Sequence, residues 1–127
     1  MPFTRITLGE HYDDEQLANI SEILHQSLTG QFAVPLKDKF QVFERLPISQ
    51  RVFDREYLSG KRSDNFILFQ ITAGKARTSE QKQSFYHQLS ERLHQELAIH
   101  PDDVMVVIQF NQTDDWSFSN GQMYCPL

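Results

Sequence analysis

Ile6-Thr7-Leu8-Gly9 returns 65 residues later as Ile71-Thr72-Ala73-Gly74, and the match extends outward from there without a gap. The same shift lays Glu15-Gln16 on Glu80-Gln81, Leu24 on Leu89, Leu28 on Leu93, Ala33 on Ala98, Asp38 on Asp103 and Val42 on Val107. Apolar spacing, a glycine and helix-entry residues stay in register over about 37 positions, which marks an internal duplication. The chain reads as one unit written twice.

Each copy has the pattern strand, helix, strand. The opening strands, 3–9 and 66–73, are rich in β-branched and aromatic residues. Asp13 and Thr78 stand as helix N-caps, each with a glutamine three residues on (Gln16, Gln81) that can reach back as in a capping box. Leu17, Ile20, Leu24 and Leu28 share one face of the first helix, and Phe85, Leu89, Leu93 and Leu97 one face of the second. The closing strands fall at 39–45 (Phe40, Val42, Phe43) and 104–110 (Val104, Val106, Val107, Ile108). Between the copies, residues 47–64 carry Pro47, Gly60 and many charges, which reads as a loop or hairpin with a short strand near Val52-Phe53. A tail holding Trp116, Phe118 and Tyr124 is apolar enough to pack on something.

A length of 127 residues fits one domain over 1–127: repeat one about 2–45, a connecting loop 46–65, repeat two about 66–110 and a tail 111–127. No run of 18 apolar residues exists to span a membrane, and the early acidic residues are unlike a signal peptide. A formal net charge of −5 argues against nucleic acid as a partner, because phosphate binding wants a basic surface. Cys125 is the only cysteine, so no internal disulfide is possible and a reducing, cytoplasmic setting is expected.

Two β-α-β units bury their faces together most simply as an α+β fold: a four-stranded mixed sheet with both helices on one face. Within a unit the strands are parallel, joined by a right-handed crossover. If a pseudo-twofold relates the units, the second pair runs antiparallel to the first. The uncovered sheet face then calls for a partner copy, so an oligomer is expected.

That topology gathers chemistry at one sheet edge. Pro2 and Asp38 enter together, and the exit of strand 66–73 brings Lys75 and Arg77 beside them. Loss of Met1 would make Pro2 a free secondary amine, able to act as base, acid or nucleophile near neutral pH. Asp38 favours its ammonium form, while the two cations and burial oppose it. Lys75 and Arg77 suit a substrate carboxylate, with Arg77 offering a planar fork. Taken singly, the parts have plainer readings: Pro2 as a strand opener, Asp38 as a turn cap, Lys75 and Arg77 as a solvated pair.

The segments VPLKDKFQV (34–42), ARTSEQK (76–82), DDVMVVI (102–108) and DDWSF (114–118) resemble the tautomerase superfamily, and within it the malonate semialdehyde decarboxylase branch. The likeness runs over nearly the whole chain and is weakest at 47–64. It implies a homotrimer that needs no cofactor, with Pro2 as catalytic proline, Asp38 as the aspartate that interacts with it, and Arg77 as a catalytic and substrate-carboxylate arginine. Lys75 stands where the family has another arginine, a departure that keeps charge but loses bidentate geometry. Trp116 and Phe118 match aromatics near the pocket, or equally an interface. The implied activity is decarboxylation of a small 3-oxo acid such as malonate semialdehyde. Keto–enol tautomerisation of 2-oxo acids, hydration in the manner of the dehalogenase branch, and a non-enzymatic trimeric binding module are the other readings. His87, Glu91 and His94 share a helix side away from the apolar stripe, so they read as a solvated face and no metal site is expected.

Overall fold

A computed structural model describes residues 1–126. Four strands, β1 (Pro2–Gly9), β2 (Gln41–Leu46), β3 (Ile67–Ala73) and β4 (Val104–Phe110), form one sheet in the order β2-β1-β3-β4. β1 pairs parallel with β2, β3 pairs parallel with β4, and the central pair β1–β3 is antiparallel with Pro2 opposite Ala73. The pseudo-twofold arrangement expected from the duplication is therefore present.

Two helices, α1 (Asp14–Phe32) and α2 (Ser79–Leu97), keep the spacing of the repeat. Both begin with a reciprocal capping box. Asp13 accepts from the Gln16 N–H and the Gln16 side chain accepts from the Asp13 N–H; Thr78 and Gln81 do the same. Such caps satisfy amide donors that the first turn leaves unpaired. Both helices end on an alanine in the left-handed region, Ala33 (φ 54°) and Ala98 (φ 57°). That turn sends the chain back along each helix toward the sheet.

One apolar core joins the two copies. Ile6 and Leu8 from β1, Ile67, Phe69 and Ile71 from β3, and the expected stripes of both helices are buried together. Phe85, Leu89 and Leu93 are fully covered, each worth roughly 1.5–3 kcal/mol over exposure. Leu17 and Leu97, at the ends of their stripes, are only partly buried. Across the helix pair Phe32 stacks on Phe85 at 4.8 Å, and Gln31 donates to Gln88 at 2.6 Å.

The other sheet face has no helix. Its rows include the Arg5–Glu44 ion pair and the exposed Val42, Met105 and Val107. Residues 47–64 depart from expectation, because Val52 and Phe53 join no ladder. Val52 is 96% exposed, and Phe53 instead stacks on Phe66 at 4.4 Å beneath the Arg55 guanidinium. The chain turns directly after them, where the Asp54 carboxylate accepts the N–H groups of Glu56 and Tyr57. Those two bonds hold the Asp54 carboxyl below its ordinary pKa. β-propensity at 52–53 loses to a local side-chain turn.

The far sheet edge, opposite the one that gathers Pro2 and Asp38, is sealed. Asp103, the repeat partner of Asp38, is buried and accepts from the Ser63 N–H and hydroxyl, each at 2.6 Å. Tyr12, the repeat partner of Arg77, donates to the Asn65 carbonyl at 2.7 Å. Its pKa is pushed up to about 12, by burial first and then by the Asp103 carboxylate. The folded chain thus holds the phenolic proton more tightly than the unfolded chain, whose value is 10.0. This contribution is whole below pH 10 and disappears as pH rises through about 12, a swing on the order of 3 kcal/mol. Tyr12→Phe is expected to be about 1 kcal/mol less stable than wild type at pH 7. In urea titrations that deficit should shrink and reverse toward pH 12. Parallel stability curves for the two proteins would count against the assignment.

Candidate functional site

The open edge is built mainly by the start of β1, the turn after α1 and the exit of β3, with Gln81 of α2 and Tyr124 of the tail completing it. They enclose a cavity of about 440 Å³ whose wall includes Met1, Ala33, Pro35, Asp38, Lys75, Arg77, Gln81 and Tyr124. The parallel β1–β2 pair brings the amino terminus to Asp38, and the antiparallel β1–β3 pair adds the Gly74–Arg77 exit. Asp38, Lys75 and Arg77 share the cavity wall as the topology requires, while the terminal position on that wall is held by Met1 rather than Pro2.

With Met1 in place, its ammonium lies 2.7 Å from Asp38 Oδ2, and its carbonyl accepts from the Gly74 N–H at 3.2 Å. Pro2 itself is buried behind it. The other carboxylate oxygen, Asp38 Oδ1, is buried and has no partner. A buried carboxylate oxygen is costly to leave unpaired, so Asp38 Oδ1 remains able to accept from a second donor.

Arg77 is more constrained than its spacing foretold. Its Nε and Nη2 donate to the Phe32 carbonyl, at 3.3 and 3.0 Å, at the carboxyl end of α1. Its Nη1 donates to the Lys75 carbonyl, and the guanidinium stacks over the Phe32 ring at 5.1 Å. Burial lowers the Arg77 pKa from its ordinary value, yet a guanidinium stays charged. Three of its five N–H groups are engaged, leaving one on each Nη for a ligand. Lys75 is exposed at the rim. Among the described residues neither cation pairs with a carboxylate. The cavity therefore combines a terminal amine, one carboxylate and two uncompensated cations.

Trp116 and Phe118 lie outside the cavity wall and form an aromatic chain behind it. Trp116 stacks on Phe118 at 5.7 Å, Phe118 meets Phe40 at 5.6 Å, and the indole N–H donates to Asn111 Oδ1 at 2.6 Å. Gly74 permits this, since a Cβ there would stand 2.7 Å from Trp116 Nε1. The wall aromatics are Phe32 and Tyr124; the Tyr124 N–H donates to the Trp116 carbonyl at 2.8 Å and its ring packs edge-on to Phe118. No spacing in the sequence singles out Tyr124, because the chain reverses at Ser119–Gln122 to bring it there.

His87 pairs with Glu91 at 2.8 Å, while His94 faces His100 instead. Among the described residues no group of three or more His, Cys, Asp or Glu comes together to hold a metal. No helix of the described residues is long and apolar enough to cross a membrane.

Comparison with known proteins agrees with this fold. A family model described as tautomerase enzyme matches residues 38–119. The chain is 36% identical to the probable tautomerase YusQ of Bacillus subtilis, over 96% of each chain. A solved structure of malonate semialdehyde decarboxylase superposes with a TM-score of 0.89 at 28% identity, covering 94% of this chain and 92% of that one. A fused 4-OT described as a symmetric trimer shares the fold, with a TM-score of 0.77 at 15% identity over 95% of this chain and 94% of that one.

Proposed function

Because the chain belongs to the tautomerase family, we propose that it is a tautomerase-family enzyme in which loss of Met1 frees the Pro2 amine to act on a small oxo-acid. The observation that carries this reading is the amino terminus lying 2.7 Å from Asp38 at the mouth of a cavity that also holds Lys75 and Arg77. Removing Met1 takes away the ammonium paired to Asp38 and leaves the Pro2 nitrogen as the terminus. Asp38 then has that amine as its natural partner and favours its cationic form.

The preferred reaction is decarboxylation of a 3-oxo acid such as malonate semialdehyde, supported by the likeness to a structure of that decarboxylase. The two free N–H groups of Arg77 and the Lys75 ammonium hold the carboxylate. The Pro2 ammonium hydrogen-bonds the aldehyde oxygen, or the amine condenses with the aldehyde to an iminium with loss of water. Either way the carbon–carboxylate bond breaks, carbon dioxide leaves, and its electron pair enters the polarised group to give an enol or enamine. Protonation at carbon, with hydrolysis in the iminium case, yields the aldehyde.

The second reading is keto–enol tautomerisation of a 2-oxo acid, favoured by the identity to a probable tautomerase. There a neutral Pro2 would move a proton alpha to the carbonyl. NMR assays of Met-free protein with malonate semialdehyde and with phenylenolpyruvate separate the two. Loss of carbon dioxide from the first at the higher kcat/KM supports decarboxylation; ketonisation of the second alone overturns it.

The exposed Val42, Met105 and Val107 and the trimeric fused 4-OT support a homotrimer packed through the uncovered sheet face. Sedimentation equilibrium should give three times the 14.9 kDa chain mass. A monomer mass at micromolar concentration would contradict it.

A further inference from the structure

The turn that carries Asp38 has few anchors. It leaves α1 at Val34, whose N–H reaches the Leu28 carbonyl at 3.5 Å, and rejoins the sheet at Phe40, whose carbonyl accepts from the Thr4 N–H at 3.0 Å. Between these points the Asp38 N–H closes a tight turn on the Pro35 carbonyl at 3.0 Å. Leu36 points outward at 79% exposure, so its side chain holds nothing. Lys39 reaches Glu22 at 3.4 Å, but an exposed pair of this kind fixes little.

Among the described residues, the one buried side chain that hydrogen-bonds the turn is His25 of α1. It is 4% exposed, and its Nε2 lies 2.7 Å from the Leu36 carbonyl. A carbonyl only accepts, so Nε2 carries the proton and donates. Nδ1 is buried without a partner, which leaves the Leu36 bond as the single polar contact of a ring set in the core.

The duplication provides the comparison. At the equivalent place in α2 stands Ser90, and the turn bearing Asp103 is tied instead by the 59–63 segment. There Asp102 accepts from the Gly60 and Lys61 N–H groups, and both oxygens of Asp103 accept from Ser63. That carboxylate is locked by its own bonds. Asp38 has no such bonds: Oδ2 meets only the amino terminus, and Oδ1 meets nothing. A carboxylate left free to face an amine must be aimed through its backbone, and His25 grips that backbone two residues away.

We propose that His25 is a positioning residue that fixes the Pro35–Asp38 turn through the Leu36 carbonyl and so aims Asp38 at the amine of Pro2. The proposal rests on the reading that Pro2 and Asp38 form the working pair, and its test separates the two. In Met-free protein, the protonation midpoint of the Pro2 nitrogen is followed by NMR, together with kcat, KM and thermal unfolding. Asp38→Asn should lower the Pro2 midpoint, since the carboxylate that favours the ammonium is gone. His25→Leu should lower it in the same direction by about half a unit, because a loosened carboxylate spends less time at the amine. It should reduce kcat about fivefold while KM stays within about twofold. His25→Gln, whose amide can donate to Leu36 O, should restore both.

If the leucine variant does not fold, His25→Asn, polar but too short to reach the carbonyl, takes its place and should behave as leucine was expected to. A Pro2 midpoint and kcat left at wild-type values in the leucine or asparagine variant, with Asp38→Asn shifted, would overturn the role of His25 alone. An unshifted Asp38→Asn would overturn the underlying pair, and the His25 role with it.

Discussion

Met-free Pro2→Ala protein is expected to lose about 10²–10³ in kcat/KM toward its oxo-acid substrate, with thermal stability little changed. Alanine at position 2 leaves a terminal amine, so charge near Asp38 is retained. What disappears is the pyrrolidine ring, which makes the amine secondary and fixes its direction at the start of β1. Pro2 sits opposite Ala73 in the ladder, so its nitrogen leaves the strand at a set angle into the edge that holds Asp38. A primary amine turns about its own Cα bond and forms an iminium less readily, so both candidate devices are weakened together. Wild-type turnover by the alanine protein would show that the nitrogen is a bystander.

Arg77→Ala is expected to reduce kcat/KM by about 10²–10³, chiefly through KM, because the loss removes a charge-assisted hold on the substrate carboxylate. The same change frees the Phe32 carbonyl at the end of α1 and its ring contact, at a cost of about 1–2 kcal/mol of stability. The two effects separate by substrate. In deuterium exchange of the alpha proton of a small aldehyde or ketone without a carboxylate, a reaction the same amine can carry without decarboxylation, the variant and wild type should differ by less than about threefold. An equal loss on charged and uncharged substrates would assign Arg77 to the fold rather than to the ligand.

Much of this was legible in the chain itself. The capping boxes at Asp13–Gln16 and Thr78–Gln81, the helix stripes and the strand alternation are local signals. The 65-residue offset converts them into a topology, which is why Pro2, Asp38, Lys75 and Arg77 could be brought to one edge. What the pattern does not carry is long-range contact. Tyr124 reaches the cavity only because the tail reverses, and two Arg77 nitrogens are engaged by a carbonyl 45 residues away. Val52-Phe53 has the composition of a strand, but Asp54 turns the chain before a ladder can form. His25 reads as one more residue on the first helix, and its grip on Leu36 depends on the left-handed Ala33 turning the chain back.

An unblocked Pro2 nitrogen is expected to do the chemistry, and Met1 provides its natural control. While Met1 is present that nitrogen is an amide without basicity, and the Met1 ammonium occupies Asp38 at 2.7 Å. The direct measurement is to separate chains with and without Met1, verify each by intact mass, and assay both on the same oxo-acid. The expected result is that all turnover follows the Met-free fraction, the Met1-bearing fraction having less than about a thousandth of its rate. Equal specific activity in the two fractions would contradict the account.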